Sequence, residues 1–356
     1  YVLKEPKIEG ITSGDITIED PYNKLKDYVN AQTDQTRFEN DSIGIISLNA
    51  FWDNTLKKAN YFVNSNNLGY IFDVKGTLNL ADSNNRTIDT DFDITDTRID
   101  ILENYLGVVF SVMKGNASGK LKISGNLDEP DITGKVQIKN GGLNVAYTQC
   151  YYTLEDPVIE FRPDIIDIGT INMKDKYGNE GQIKGELSHH FFKDFKFDFS
   201  ATSKKMLLLN TTKQDNNIFY GKAIGRVNFF FKGPEKDMKM YVDGEVLDSS
   251  MINIVTSTNS KQSGNVDYIV WKQYGREMNF DSMFKASSNL SMDLDLTVNN
   301  LLKMNVILDE LSGDVISAIG KGNIKIHTGT NENLTLNGRY NIDKGNYNFN
   351  FQDIFK

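Results

Sequence analysis

The 356-residue chain holds one cysteine, six prolines, two tryptophans and three histidines. A lone Cys150 cannot close an internal disulfide, and no cysteine cluster is present to hold a metal. His189 and His190 are adjacent, so on a strand they point to opposite faces, and His327 ends a strand alone. No third ligand accompanies either group. No apolar run is long enough to span a bilayer as a helix, and no signal peptide is evident. No Pro- or Ser-rich linker divides the chain. The net charge of −9 arises from lysines and aspartates mixed along the same stretches. A nucleic-acid partner requires a basic face, which that mixing does not provide.

Catalytic signatures are missing too. Asp89-Thr-Asp91-Phe-Asp93 is acidic like a calcium loop but lacks its glycine and terminal glutamate. Gly141-Gly142 follows a strand without opening a helix, so it is no phosphate loop. No serine occupies a nucleophile elbow. These observations predict a protein that is not an enzyme and uses no metal or cofactor.

What the chain has is alternation. In Gly115 to Val145, Leu121 and Ile123 interleave with Lys120, Lys122 and Ser124. Val136 and Ile138 interleave with Lys135, Gln137 and Lys139. Period two places the apolar side chains on one face of a strand and the lysines on the other. Gly125-Asn-Leu-Asp-Glu-Pro130 between them is rich in turn formers, and Pro130, without a backbone donor, suits the start of a strand. The stretch is therefore a hairpin with one greasy face and one wet face. The same grammar returns after Gly225 and Gly322, which stand 106 and 97 positions further on in turn from Gly119. Such spacing suits several strands per unit.

Two stretches break the pattern. Asp20 to Asn40 is polar with weak helical periodicity, as in a loop or short surface helix. Over 97–113, Ile99, Leu102, Leu106, Val109, Phe110 and Met113 recur at helical spacing behind Thr97 as N-cap, which predicts a short helical insertion. Residues 256–285 read as a long loop or irregular insertion. The rest amounts to roughly twenty strands, far above the five or six of an ordinary sheet. With one helix to cover it, the apolar face must meet another sheet or curl on itself. A membrane barrel requires strands of about ten residues with aromatic girdles, and neither is visible. The expected fold is all-β: an elongated, lengthwise-curled antiparallel-rich sheet, apolar inside, with one short helix. Residues 1–356 read as one continuous β-groove fragment of a longer protein.

The order of Gly115, Gly119, Gly125, Pro130 and Gly134, with strands between, resembles the C-terminal region of the TamB family, the translocation and assembly module subunit of Gram-negative bacteria. Leu308-Asp309 through Gly313-Asp-Val-Ile316, Gly320-Lys-Gly322, Gly338-Arg-Tyr340 and Gly345-Asn-Tyr347 resemble that family's segment near its C-terminus. The Asn/Lys-rich style is similar to members from Bacteroidota. The resemblance runs from about Gly69 onward and is strongest over 107–145 and 290–351. It implies a periplasmic protein anchored in the inner membrane through an N-terminus missing here, with further strands after Lys356. It also implies an outer-membrane barrel partner of the TamA/BamA type and a role in phospholipid movement or outer-membrane protein assembly.

The residues are compatible with that implication. Acyl chains require a continuous dry surface, at about 0.8 kcal/mol per buried CH₂. The trough lining would comprise Leu121, Ile123, Val136, Ile138, Phe195, Phe197, Phe199, Val227, Phe229, Met238, Met240, Leu294, Leu296, Ile324, Ile326, Leu334 and Leu336. Alkyl and thioether walls bind without directionality, which suits sliding phospholipid. Two other readings stand beside this one. In one, the walls meet as a closed dry core without ligand; in the other, a free sheet edge templates outer-membrane strands by β-augmentation.

Overall fold

The computed structural model describes residues 7–20, 22, 25–39, 41–107, 109–190, 193–216, 219–256, 272–273, 276–277, 289–309, 313–330 and 332–348. Over the first half, sheet order follows chain order. β1 (Ile8–Glu19), β2 (Lys26–Phe38), β3 (Asp41–Asp53) and β4 (Lys58–Asn67) form an antiparallel meander. β5 (Tyr70–Asn79), β6 (Thr87–Arg98), β7 (Phe110–Asn126) and β8 (Pro130–Val145) extend it. β9 (Cys150–Leu154) and β10 (Val158–Arg162) then lie end to end between β8 and β11 (Ile165–Asp175).

β12 (Glu180–His190), β13 (Lys193–Thr211) and β14 (Phe219–Pro234) continue the series. β15 (Asp237–Val246) and β16 (Ser250–Val255) share the next rank. The two-residue strands β17 (Lys272–Gln273) and β18 (Arg276–Glu277) pair with each other. β19 (Asn289–Val298) and β20 (Leu302–Asp309) share a rank that runs parallel to β15 and β16. They pair antiparallel with β21 (Asp314–Gly329), which pairs with β22 (Glu332–Asn348). Twenty strands, three pairs of them end to end, make seventeen ranks in one sheet. At about 4.8 Å per rank the ribbon runs roughly 75–80 Å across its strands.

The lead hairpin forms as its sequence dictates. Pro130 opens β8 opposite Gly125, and Ile123 faces Ile132 across the pair. Gly119 shows what the recurring glycine does. A Cβ there would sit 2.1 Å from the Lys135 carbonyl oxygen, and one at Gly225 or Gly322 would meet a partner carbonyl at 2.1 or 1.9 Å. The motif therefore marks places where neighbouring backbones close in past any side chain. The outer face carries the charges. Lys120 lies 2.9 Å from Asp93, Lys122 3.3 Å from Asp91 and Lys135 3.4 Å from Glu160. These solvated cross-strand pairs fix register more than they add stability.

Two lines of irregularity cross the ribbon. In the first, register slips between Ile94 and Thr97 on β6 and between Lys114 and Asn116 on β7. Asn140 takes a left-handed φ of 52° on β8, the rank of β9 and β10 is interrupted, and β11 slips between Asp167 and Gly169. In the second, β13 slips between Ser203 and Met206, β15 breaks to β16, β19 breaks to β20, and β21 slips between Ile319 and Gly320. Aligned bulges and breaks bend a sheet along a line. Val298 and Leu302 show the bend. They would stand about 13 Å apart on a straight strand, yet both are buried with Ile324 in one cluster that gathers Leu296, Ile326, Ile252 and Met304. A second cluster joins Ile99, Met113, Ala117 and Val136. A third joins Cys150 and Tyr152 to Met206, Leu207 and Ile224.

Two expectations change. The helix expected over 97–113 is one 3₁₀ turn, Asp100–Leu102, and one α turn, α1, Glu103–Leu106. Thr97 lies in β6, its hydroxyl bonded to the Ile71 carbonyl, while Phe110 and Met113 belong to β7. The 3.6-residue spacing came from joining two strands through a short turn. Asp20 to Asn40 is mostly β2, whose polar residues hide its period but whose backbone pairs on both edges. The irregular stretch over 256–285 lies outside the described residues, apart from Thr256 and the two-residue pair β17–β18.

Candidate functional site

Register joins the apolar positions into one stripe. From β3 onward the pairs run Leu48–Val63, Val63–Val74, Val74–Phe92 and Phe92–Leu121. Leu121 faces Gly134, Gly134 faces Phe161, Phe161 faces Ile166, Ile166 faces Leu187, and Leu187 faces Phe197. The Phe197 ring lies 5.3 Å from Phe231 and 6.4 Å from Phe199. Further on, Phe229 faces Val242, Val242 faces Leu294, Leu294 faces Ile326, and Ile326 faces Leu336. Because side chains alternate, partners across a ladder share a face. The stripe therefore follows a single face of the sheet for nearly its whole length.

The expected lining residues fall on that face. Val136, Met238 and Ile324 are buried, at 8, 2 and 5 % exposure. Leu121, Ile123, Ile138, Phe195, Phe197, Phe199, Val227, Phe229, Met240, Leu294, Leu296 and Ile326 are half-buried, and Leu336 is exposed. The Leu334 side chain lies outside the described residues. A closed sandwich buries its inner face almost completely. Here the buried residues gather near the bends, and the face away from them stays half open. That is a trough.

Sequence periodicity missed the apolar residues packed at the bends. Tyr152, Ile171, Met206, Leu207 and Ile224 are all at least 92 % buried, and Ile252 and Met304 pack with them or with the C-terminal cluster. The bulges reverse the inward parity within each strand, so a fixed period of two loses them. One signal was available: Met206-Leu-Leu-Leu209 is the densest aliphatic run in β13.

Polar groups near these bends are structural. Tyr152 donates its hydroxyl to the Leu207 carbonyl at 2.8 Å, which ties β9 to β13 over the tip of the β11–β12 hairpin. Burial pushes its phenol far above the ordinary range. Asp175, 5 % exposed, accepts from the amides of Tyr177, Asn179 and Leu207 at 2.8, 2.9 and 2.7 Å, and from Asn179 Nδ2 at 2.9 Å. Desolvation alone would raise its pKa, yet these bonds bring it below the ordinary carboxylate value. Cys150 is fully buried and its thiol is pushed up by burial.

The histidines divide. His189 is buried and His190 exposed, on opposite faces as adjacent strand positions must be. His327 is not alone. Its Nδ1 lies 2.7 Å from Asp293 and its Nε2 2.7 Å from Glu332, and both partners raise its pKa. Among the described residues no group of three His, Cys, Asp or Glu side chains is placed to hold a metal.

The family profile of the TamB C-terminal domain matches residues 169–356, more than half of the chain. The chain belongs to the TamB family. The matched stretch takes in β12 to β22 and leaves the lead hairpin of β7 and β8 before it. No curated protein and no solved structure matches. The TamB-matching part is where the parallel rank β19–β20 and the second bend lie. Among the described residues no helix is long and apolar enough to cross a membrane.

Proposed function

We propose that this TamB-family chain is part of a periplasmic conduit along which phospholipid passes between the inner and outer membranes, supporting outer-membrane biogenesis. The supporting observation is the register-continuous apolar stripe, half-buried rather than closed, along a ribbon of seventeen ranks. Acyl chains lie against the stripe by dispersion and the hydrophobic effect, and headgroups stay at the open side in water. Nothing in the lining selects one chain position over the next, so the bound lipid slides. The membrane anchor and the outer-membrane barrel partner of the TamA/BamA type belong to this same proposal. Native mass spectrometry of the chain purified from a Gram-negative host, followed by lipid analysis of an organic extract, tests it. Several phospholipids per chain support the conduit, and a stably folded lipid-free chain refutes it.

One observation favours a second reading. Every residue of β1 is exposed, including Ile11 at 76 % and Ile16 at 69 %. β1 also has a partner on one side alone among the described strands. A strand of an outer-membrane protein would add there by β-augmentation. A lipid-free chain that binds an isolated outer-membrane β-hairpin, and loses it on Ser13→Pro, would establish this role instead.

A further inference from the structure

A cleft of about 730 Å³ opens where the second bend crosses β13, β14 and β16, lined by Lys205, Lys222, Lys303, Tyr177, Met251 and Asp248 among others. Register places it on the face opposite the trough. Gly221, Ile252 and Met304 form the cross-strand row that faces the trough. Lys222, Met251 and Lys303 form the next row, on the other face.

Its charge is unlike that of the rest of the molecule. Three lysines meet one carboxylate in a chain whose net charge is −9. Lys205 Nζ is 2.7 Å from Asp248, which neutralises one of them. Lys222 Nζ stands 4.7 Å above the ring of Tyr177, and Asp248, the one carboxylate in the lining, is bonded to Lys205 rather than to Lys303. Asp248 also acts on Lys222 at longer range, so one lining carboxylate serves three ammonium groups and the lining keeps an excess of two positive charges. Lys222 and Lys303 flank Met251 two strand spacings apart, about 9.6 Å between backbones, and lysine stems are long enough to bring both onto one anion above it. Ser249, Ser250 and the Tyr177 hydroxyl add neutral polar groups at the margin. A concave site with uncompensated like charge focuses its field and concentrates counter-ions.

We propose that this cleft binds an anionic phosphate monoester with an apolar body, its phosphate held between Lys222 and Lys303 and its carbon against Met251 and Ile224. A tetrahedral oxyanion accepts from lysines as point charges approaching from different sides. The volume lies in the range of small-molecule sites and far exceeds a bare phosphate. The inference goes beyond the conduit, since it concerns the other face of the sheet and stands whether or not the trough carries lipid.

Calorimetric titration of the full chain with dihexanoyl phosphatidic acid, below its micelle concentration, tests it. Dihexanoyl phosphatidylcholine and inorganic phosphate serve as parallel probes. Phosphatidic acid is expected to saturate a site whose affinity falls with salt, and Lys222→Met with Lys303→Met to weaken it at least about tenfold, one charged hydrogen bond or more. Lys239→Met, on the exposed face of β15, is expected to leave it unchanged. Equal binding of phosphatidylcholine, a zwitterionic diester without net charge, would show that the lysines do not select an anionic monoester, and would overturn the proposal. Displacement by inorganic phosphate at matching concentration would make the site one for free phosphate, which also overturns it. Should circular dichroism show the double variant unfolded, Lys303→Gln alone decides. That side chain is exposed, and unchanged affinity there refutes the site.

Discussion

Asp175→Ala probes the knot that holds the second bend. The carboxylate accepts four hydrogen bonds, and the donor on Leu207 is buried. Alanine leaves that amide without a partner, at a cost of about 1–3 kcal/mol. The Tyr177 and Asn179 amides turn to water at about a further 0.5–1 kcal/mol each. The loss is therefore about 3 kcal/mol, read as a shift in urea midpoint at unchanged slope. The pH dependence has a definite sign. The folded-state pKa is below the ordinary 3.8, so the stabilisation is full above that value. It is lost as pH falls below 3.8 through the folded pKa. The variant is expected to lose that acid-range slope while its stability above pH 5 falls uniformly. A loss under 1 kcal/mol, or an unchanged acid slope, would refute the assignment of Asp175 as the tie between the hairpin tip and β13.

Other outcomes follow from the same geometry. Gly119→Ala brings a Cβ to 2.1 Å from a backbone oxygen and is expected to cost at least 2 kcal/mol or prevent folding. Gly169→Ala, where the space is empty but φ is +59°, is expected to cost about 1 kcal/mol by thermal melting. Met206→Ala, at 1 % exposure, is expected to cost about 2–5 kcal/mol by urea denaturation. His327, held between Asp293 and Glu332, is expected to titrate above the ordinary imidazole value when followed by NMR. Its ion pairs therefore contribute below that value and are lost as pH rises through the folded pKa. Ile123→Asp, on the half-buried stripe, is expected to keep the far-ultraviolet spectrum and lose the co-purifying lipid. If it unfolds the chain instead, the stripe is a closed core.

The legible parts were those where one strand keeps one parity. Leu121, Ile123, Val136 and Ile138, or Leu294 and Leu296, announce their face because no bulge intervenes among them. Met206, Tyr152 and Ile252 did not, since an inserted residue such as Lys205 flips the inward set. β2 stayed hidden for another reason. Its Thr33, Gln32 and Asn30 are polar on both faces, so pairing rather than burial makes it a strand. Ile99 and Leu106 misled by sitting at helical spacing across two strands and the turn between them. The parallel step from β16 to β19 was also illegible, because nothing local distinguishes a strand that pairs with its neighbour from one that returns. The cleft could not be read either, because Lys205, Lys222 and Lys303 meet only once three ranks are aligned.

Since nearly every rank contacts only its two neighbours, length is a free variable of this architecture. One antiparallel hairpin inserted in register adds two ranks, about 10 Å, without disturbing a contact elsewhere. Selection can therefore match such a ribbon to the distance it has to cover in steps of roughly a nanometre, by duplicating or deleting some thirty residues at a time. The exception is the parallel junction of β15–β16 with β19–β20. Its two rows depend on each other across the intervening chain, so any change there has to move both at once, and it divides the molecule into stretches that can lengthen independently.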